Sequence, residues 1–445
     1  MNVLFISLGC DKNLSDTEMM LGLVSERGYA LTDDESQADI AVINSCCFIG
    51  DAKEESINTI LETARLKEEG RLKVLIVTGC LSQRYREEII REIPEVDCIL
   101  GIQSIGRIAD AIDGALKGRA RNHFDSLKDR PYADKRRLLT TGGHYAYLKI
   151  AEGCSKYCTY CIIPYIRGEY RSIDMDILVQ EAADLAEKGV RELILVAQET
   201  TIYGRDLYGA NRLPDLLKAL CAIEGIRWIR LLYCYPEEIT DELVQVMKEE
   251  PKICHYLDIP IQSASDSVLK RMGRRTRQEE LRERIRFLRT SIPDICLRTT
   301  FITGFPGESR EEFEESMYFI NEMEFDRLGA FAYSAEEGTK AAEMDGQIDD
   351  EVKNRRRDEM MELQQEIAFE LAERRKGSIM DVMIEGKIAD EDAYVARSYM
   401  DAPGVDGMVF VRTLRDLKTG DFVKVRITGC NEYDLIGEIF DESAQ

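Results

Sequence analysis

Along the first third of the chain, runs of consecutive apolar residues alternate with amphipathic stretches. Val3 to Ser7 (VLFIS), Ile40 to Ser45 (IAVINS) and Lys73 to Gly79 (KVLIVTG) are continuous and rich in β-branched residues. Strands covered on both faces by helices read this way, so the pattern predicts a parallel α/β domain. From Tyr145 a second alternation begins, with YAYLKIAEG, ELILVAQE, WIRLLYC, YLDIPIQ, CLRTTFITGF and RLGAFAYS separated by helical segments such as DILVQEAADLAEK. Six strand–helix units in succession predict a closed or partly closed barrel of parallel strands. A charged helical stretch from Asp349 to Gly377 then leads into IMDVMIEG, AYVARSY, MVFVRT, DFVKVRITGC and DLIGEIF. These short, evenly spaced strands, broken by Gly, Pro and Asp, predict a small antiparallel β-barrel that serves as a recognition module.

Between the first two patterns lies DSLKDRPYADKRRLLTTGGH, Asp125 to His144, which has Pro131, the Gly142-Gly143 pair and no periodicity. It reads as a linker. Its Lys135, Arg136 and Arg137 read as solvated loop charges, with an interdomain cleft as the lesser reading. The chain thus divides into residues 1–136, 137–375 and 376–445. There is no internal repeat, no low-complexity tract, no G-x-x-x-x-G-K-[ST] loop and no H-E-x-x-H.

Charge and composition narrow the choice of partners and compartment. The 445 residues carry 59 Lys and Arg against 83 Asp and Glu, a formal charge of −24. Such a molecule repels nucleic acid and acidic lipid surfaces unless it has a local basic patch. The opening MNVLFISLGCDKN lacks a charged leader and breaks at Gly9, so it reads as a first strand. No apolar run reaches membrane-spanning length, and a cytoplasmic protein with no membrane partner is expected. Thirteen cysteines therefore need an explanation other than disulfides, because the cytosol keeps thiols reduced.

Two groups of cysteines supply that explanation. Each apolar run of the first domain ends in one: Cys10 in SLGCDKN, Cys46 and Cys47 in INSCCFI, and Cys80 in VTGCLSQ. A single such cysteine is most simply a small buried hydrophobe. Three at equivalent strand ends, where open parallel sheets gather ligands, point instead to one shared metal centre. The second group, Cys154, Cys158 and Cys161, has the spacing C-x-x-x-C-x-x-C in AEGCSKYCTYCIIPYIRG, just after the first barrel strand. Active sites of such barrels sit at the carboxyl ends of the strands. A structural zinc site or a saturated 4Fe-4S cluster takes four protein ligands, so three thiolates leave one position open for something exchangeable. The only histidines, His123, His144 and His255, are not spaced to fill it.

C-x-x-x-C-x-x-C after the first strand of a βα barrel resembles the radical S-adenosylmethionine superfamily. The resemblance implies a (β/α)6 partial TIM barrel in which Cys154, Cys158 and Cys161 hold a 4Fe-4S cluster whose open iron binds S-adenosylmethionine. It implies that Tyr160 contacts the adenine, whereas Tyr157 reads as packing. The whole chain resembles the methylthiotransferase branch, with a cysteine-bearing first domain, the radical barrel and a C-terminal TRAM barrel. That branch holds a second 4Fe-4S cluster at positions matching Cys10, Cys46 and Cys80, with Cys46 preferred over Cys47 because the family reads Asn-x-Cys. SLGCDKNLSDTE and DAPGVDG (Asp401 to Gly407) look like the bacterial members that methylthiolate an aspartate of small-subunit ribosomal protein twelve. The implied mechanism uses two molecules of S-adenosylmethionine: one methylates a sulfur on the auxiliary cluster, and the other yields a deoxyadenosyl radical that abstracts hydrogen from the aspartate β-carbon. An electron donor such as flavodoxin or ferredoxin and a sulfur donor are implied partners.

Several strand-end polar residues fall where the superfamily binds S-adenosylmethionine. Gln198 and Glu199 follow the second barrel strand, Gln262 and Ser263 lie beyond the fourth, and Arg298 and Thr300 are on the fifth. Each reads equally well as a polar group satisfying backbone. Cys98, Cys221, Cys234, Cys254, Cys296 and Cys430 lack partners at ligand spacing and read as packing or surface thiols. The segment from Gly377 onward has seven basic and fourteen acidic residues, which suits a basic ribosomal protein better than tRNA. A tRNA adenosine methylthiotransferase is the alternative within the branch, and a non-catalytic iron–sulfur or zinc carrier the alternative outside it.

Overall fold

The computed structural model describes residues 1–133 and 136–440. In the first domain, strands β1 (Asn2–Ser7), β2 (Ala30–Thr32), β3 (Ile40–Ser45), β4 (Val74–Gly79) and β5 (Cys98–Ile99) form a parallel sheet in the order β2-β1-β3-β4-β5. Every residue of β3 and β4 is buried, as uninterrupted apolar runs require. Edge strands β2 and β5 are three and two residues long, too short to register as patterns. The strand order reverses between β1 and β3, and such switch points open a crevice beyond the carboxyl ends of the two strands. Cys10 and Cys46 are the residues that follow these two ends.

The central domain has β6 (Tyr145–Lys149), a short antiparallel ribbon of β7 (Ala151–Glu152) with β8 (Arg171–Ser172), then β9 (Glu192–Val196), β10 (Trp228–Leu231), β11 (Ile253–Asp258), β12 (Cys296–Thr303) and β13 (Arg327–Ala332). The six long strands pair in parallel as β13-β12-β11-β10-β9-β6, giving the partly closed barrel expected from the six strand–helix units. Leu193, Leu195, Ile229, Leu231, Leu257 and Leu297 face the surrounding helices. One of those helices, Arg310–Met323, is started by a capping box in which Ser309 and Glu312 satisfy each other's backbone N–H.

The third domain closes β14 (Ile379–Lys387), β15 (Ala393–Ser398), β16 (Val409–Arg412), β17 (Phe422–Asn431) and β18 (Asp434–Ile439) into a barrel ordered β14-β15-β16-β18-β17. It is not wholly antiparallel, because β16 and β18 run parallel. Closure explains this: alternating directions cannot return to their starting sense around an odd number of strands.

This barrel is not a detached module. Its Met383, Met400 and Ala402 pack against Ile194, Val196, Trp228, Cys254, Tyr256 and Cys296, on the sheet face opposite the helices. The segment from Tyr399 to Asp406 enters the concave side of the open barrel. There Asp401 lies 2.6 Å from Arg327, Asp406 lies 3.3 Å from Arg298 and accepts from Tyr256 at 2.7 Å, and the Tyr399 carbonyl accepts from Arg230. Arg397 reaches Glu192 at 2.7 Å, and His144 reaches Glu385 at 2.8 Å. Part of the acidic charge counted from Gly377 onward is therefore directed at the central barrel and not at a partner.

The linker also departs from expectation. Arg137 is buried, not solvated: it lies 2.6 Å from Glu18 of the helix Asp11–Glu26 and 2.9 Å from Glu181 of the helix Met175–Glu187. A buried guanidinium persists only where carboxylates compensate it, and here two do. Arg136 stays at the surface, 2.6 Å from Glu26, and Lys135 lies outside the described residues.

Candidate functional site

The carboxyl ends of β1, β3 and β4 carry Cys10, Cys46 and Cys80 into one region. Cys10 stands at the N-cap of the helix Asp11–Glu26 in an extended conformation, and Cys80 opens the short helix Cys80–Arg84. Gly9 has φ +86, and a Cβ there would lie 2.7 Å from the Cys46 sulfur, so only glycine lets the two turns meet. Gly79 has φ +94 and presses on the Ser45 backbone in the same way, bringing Cys80 beside Cys46. Cys47 is turned toward the Arg84 guanidinium, which holds its thiol down against the rise from burial. Burial pushes the Cys80 thiol up to about 12; Arg167 opposes that rise, and the thiols of Cys47, Cys10 and Cys46 add to it. A buried thiol of that kind is neutral at pH 7 until a metal takes its proton's place.

Asn13 organises these turns. Its side-chain amide donates to the Leu8 carbonyl at 2.9 Å and to the Ser45 carbonyl at 3.1 Å, pinning the backbone just before Cys10 and just before Cys46.

The second cysteine set lies in the loop after β7. Gly153, with φ +80, has no room for a Cβ, which would fall 2.2 Å from the Glu169 carbonyl. That close approach lets the Cys154 N–H donate to the Gly168 carbonyl at 3.1 Å and closes the loop at its base. Its far side is tied by Thr159, whose N–H donates to the Met272 carbonyl at 2.9 Å and whose carbonyl accepts from Ala341 at 2.9 Å. Burial pushes the Cys154 thiol up to about 11, and burial raises Cys161 as well, with Cys158 adding to it. Among the described residues, no three His, Cys, Asp or Glu side chains stand close enough to share a single metal ion. Each set consists of three thiols, soft donors of the kind that hold iron–sulfur clusters.

The strand-end residues divide by their surroundings. Gln198 donates to Glu152 at 2.9 Å and leaves its carbonyl oxygen buried without a donor. Glu199 is fully buried: one oxygen lies 3.3 Å from Lys156, and the other has no partner. Burial pushes the Glu199 carboxyl up to about 7 in spite of that lysine. Each of these two residues after β9 thus has an enclosed acceptor oxygen that lacks a donor, which a positively charged amino group would supply. Tyr160 packs edge-on against Phe305, with ring centroids 6.4 Å apart, on a cluster that includes Met272 and Tyr333.

The remaining three sets of contacts are inward. Gln262 has φ +73 and bridges to β12 through its backbone, donating to the Thr300 carbonyl at 2.8 Å and accepting from Ile302 at 2.9 Å. Ser263 is buried with its hydroxyl 3.5 Å from Ser316 and accepts from the Ser265 N–H. Arg298 sits between Asp258, at 2.9 Å, and Asp406 of the third domain. Tyr157, read as packing, is 43% exposed with φ +51 and touches Tyr165 edge-on, because its turn faces away from the barrel. Cys98, Cys221, Cys234, Cys254 and Cys296 are buried apart from both sets, and Cys430 donates to Glu373.

Four charged or polar residues at the site carried no signal of their own in the sequence. Arg167 lies between the two cysteine sets, 3.3 Å from Cys80 and 2.8 Å from Glu152. Arg274 stacks on Tyr235 at 4.4 Å, and its Nε and Nη1 are buried without acceptors. Lys12 lies 3.3 Å over the Tyr233 ring, and Tyr233 donates to Asp11 at 3.1 Å, so the Cys10 turn rests on the end of β10.

Three family models match the chain: "Uncharacterized protein family UPF0004" over residues 2–101, "Radical SAM superfamily" over 148–320 and "TRAM domain" over 377–440. Among solved structures, the radical S-adenosylmethionine methyltransferase TsrM from Kitasatospora setae, with cobalamin and a [4Fe-4S] cluster bound, aligns at TM-score 0.56 and 12% identity. That alignment covers 94% of this chain and 83% of the other, and it shows a shared fold. Among curated proteins, the ribosomal protein uS12 methylthiotransferase RimO of Lachnoclostridium phytofermentans is 59% identical over 98% of this chain and 99% of its own. The protein of the same name from Thermoanaerobacter sp. (strain X514) is 49% identical over 98% of this chain and 99% of its own. Radical barrel, TRAM barrel and near full-length identity agree, and the chain belongs to the ribosomal protein uS12 methylthiotransferase RimO family.

Proposed function

We propose that the protein is a radical S-adenosylmethionine methylthiotransferase that places a methylthio group on the β-carbon of an aspartate in ribosomal protein uS12. The observation that carries the reading is the facing of two three-cysteine sets across one buried charge network, from Cys80 through Arg167 and Glu152 to the loop of Cys154. In this reading Cys154, Cys158 and Cys161 hold one 4Fe-4S cluster, and Cys10, Cys46 and Cys80 hold the other. Cys46 is preferred to Cys47 because its sulfur faces the Cys10 turn.

When bound, the clusters and S-adenosylmethionine supply methylation of a sulfur and reductive formation of a deoxyadenosyl radical. The chain's own residues bind, orient and exclude water. Gln198 and Glu199 offer their donorless oxygens to the amino group of S-adenosylmethionine, and the edge of Tyr160 borders the adenine. Gln262, Ser263, Arg298 and Thr300 support that pocket from β11 and β12, through the backbone bridge and the Asp258 pair. The third domain covers the concave side through Asp401 and Asp406, which pair with Arg327 and Arg298. Residues 1–136, 137–375 and 376–445 serve as auxiliary-cluster domain, radical core and TRAM domain.

Among the described residues no helix is long and apolar enough to cross a membrane. A cytoplasmic location, an electron donor such as flavodoxin or ferredoxin, and a separate sulfur donor complete the proposal. Anaerobic reconstitution tests it: about eight irons per chain are expected for two clusters. Cys158→Ala should lose one cluster and all deoxyadenosine formation, whereas Cys80→Ala should keep deoxyadenosine formation and lose methylthio product. Zinc without sulfide, or methylthio product from Cys80→Ala, contradicts the proposal.

A further inference from the structure

Arg167 ends the short helix Ile163–Arg167 and is among the largest fully buried side chains of the protein. Its three guanidinium nitrogens have three different acceptors. Nη1 donates to Glu152 Oε1 at 2.8 Å, Nη2 donates to Asn13 Oδ1, and Nε points at Cys80 Sγ, 3.3 Å away. Charge around it is balanced without any contribution from the sulfur, because Lys149 and Arg167 stand against Asp16 and Glu152. The Nε–H therefore has one use, which is to meet the sulfur. A thiol is a weak acceptor and a metal-bound thiolate a strong one, so the contact reaches full strength only on a loaded site.

Position makes the contact more than local. Arg167 comes from the segment that follows the Cys154, Cys158 and Cys161 loop, whereas Cys80 belongs to the first domain. Through Asn13 it also holds the residue that pins the backbone before Cys10 and Cys46. Through Glu152 it joins the residue two positions before Cys154, which is also the acceptor for Gln198.

Resting on the two-cluster reading above, we propose that Arg167 is a positioning residue that donates an N–H···S hydrogen bond to the auxiliary cluster through Cys80 and sets the distance between the two cysteine sets. Hydrogen bonds to cluster sulfurs withdraw electron density and raise the reduction potential, and partners of this second layer orient the ligands themselves. Arg167 thus makes the auxiliary centre easier to reduce than its burial alone allows, and does so from the domain that carries the other centre.

The direct test needs no substitution. Full-length protein labelled with 15N-arginine is reconstituted, reduced with dithionite and studied by pulsed EPR, with the Cys158→Ala protein used to identify the auxiliary signal. A 15N coupling on that signal is expected, and it should vanish in Arg167→Lys. Redox titration of Arg167→Met should move the auxiliary midpoint to more negative potential, with a smaller shift at the other centre. No 15N coupling in a protein holding both clusters overturns this inference and leaves the two-cluster reading standing. Failure of Cys158→Ala to hold any cluster overturns both.

Discussion

Arg137 Nη2 lies 2.6 Å from Glu18 Oε2, with both side chains enclosed, and a second carboxylate, Glu181, stands 2.9 Å from Arg137 Nη1. One linker residue thus fastens a helix of the first domain to a helix of the barrel. Glu18 also accepts from the Thr140 N–H at 2.7 Å and from its hydroxyl at 2.9 Å, so the linker is sewn down on both sides of the turn. Removing Arg137 leaves two buried carboxylates facing each other. Arg137→Met should cost about 3–5 kcal/mol of stability in chemical denaturation, the range for breaking a buried pair on one side. A loss within about 0.5 kcal/mol, as for a surface site, contradicts this.

Gly153→Ala should separate the two centres. The new Cβ would meet the Glu169 carbonyl at 2.2 Å on a backbone with φ +80, so the base of the Cys154 loop has to open. The first domain does not use this turn. Iron should fall from about eight to about four per chain, with the remaining cluster at the Cys10, Cys46 and Cys80 set. Retention of both clusters contradicts the loop geometry.

Glu199 gives a pH dependence whose sign is fixed. Burial raises its carboxyl from 4.5 to about 7, so between those values the folded protein holds a proton that the unfolded chain has released. Stability contributed by this group therefore falls as pH rises from about 4.5 to 7, by about 2–3 kcal/mol. Glu199→Gln should be less sensitive to pH and more stable than the parent at pH 8 in the absence of S-adenosylmethionine, measured by denaturation across pH 5–8. Equal stability profiles for the two proteins contradict a carboxyl whose burial outweighs its Lys156 partner.

The third domain should not be removable without damage. Asp401→Ala takes the carboxylate from Arg327, which lies 2.6 Å away and is itself largely enclosed, and should cost about 3–5 kcal/mol. Deleting residues 377–445 should expose Trp228, Tyr256 and Cys296 on the concave sheet face, read as increased binding of a hydrophobic dye. An unchanged melting curve in either case contradicts the plugged-barrel arrangement.

These contacts also mark where sequence pattern stops being informative. Cys154, Cys158 and Cys161 are legible because their spacing is local, and Cys10, Cys46 and Cys80 because each ends a continuous apolar run. Strands β1, β3, β4, β6 and β9 to β13 follow from their apolar runs, whereas β2, β5, β7 and β8 are two or three residues long, too short to have a pattern. Arg137 reads as an ordinary charge and Arg167 draws no reading at all, since a buried arginine differs from a solvated one only in what the folded chain sets around it. Lys135 aside, the linker's role came from Glu18 and Glu181, which lie far from it in sequence. The parallel β16–β18 pair follows from barrel closure, which no single strand encodes.

The substrate is the centre of the account, and one measurement addresses it directly. Reconstituted protein is given S-adenosylmethionine, a reductant and a sulfur source, with ribosomal protein uS12 and tRNA offered together, and both are analysed by mass spectrometry for an added methylthio group. The account predicts the added mass on an aspartate of uS12 and none on tRNA. Mass on a tRNA adenosine, with uS12 unmodified, would contradict it.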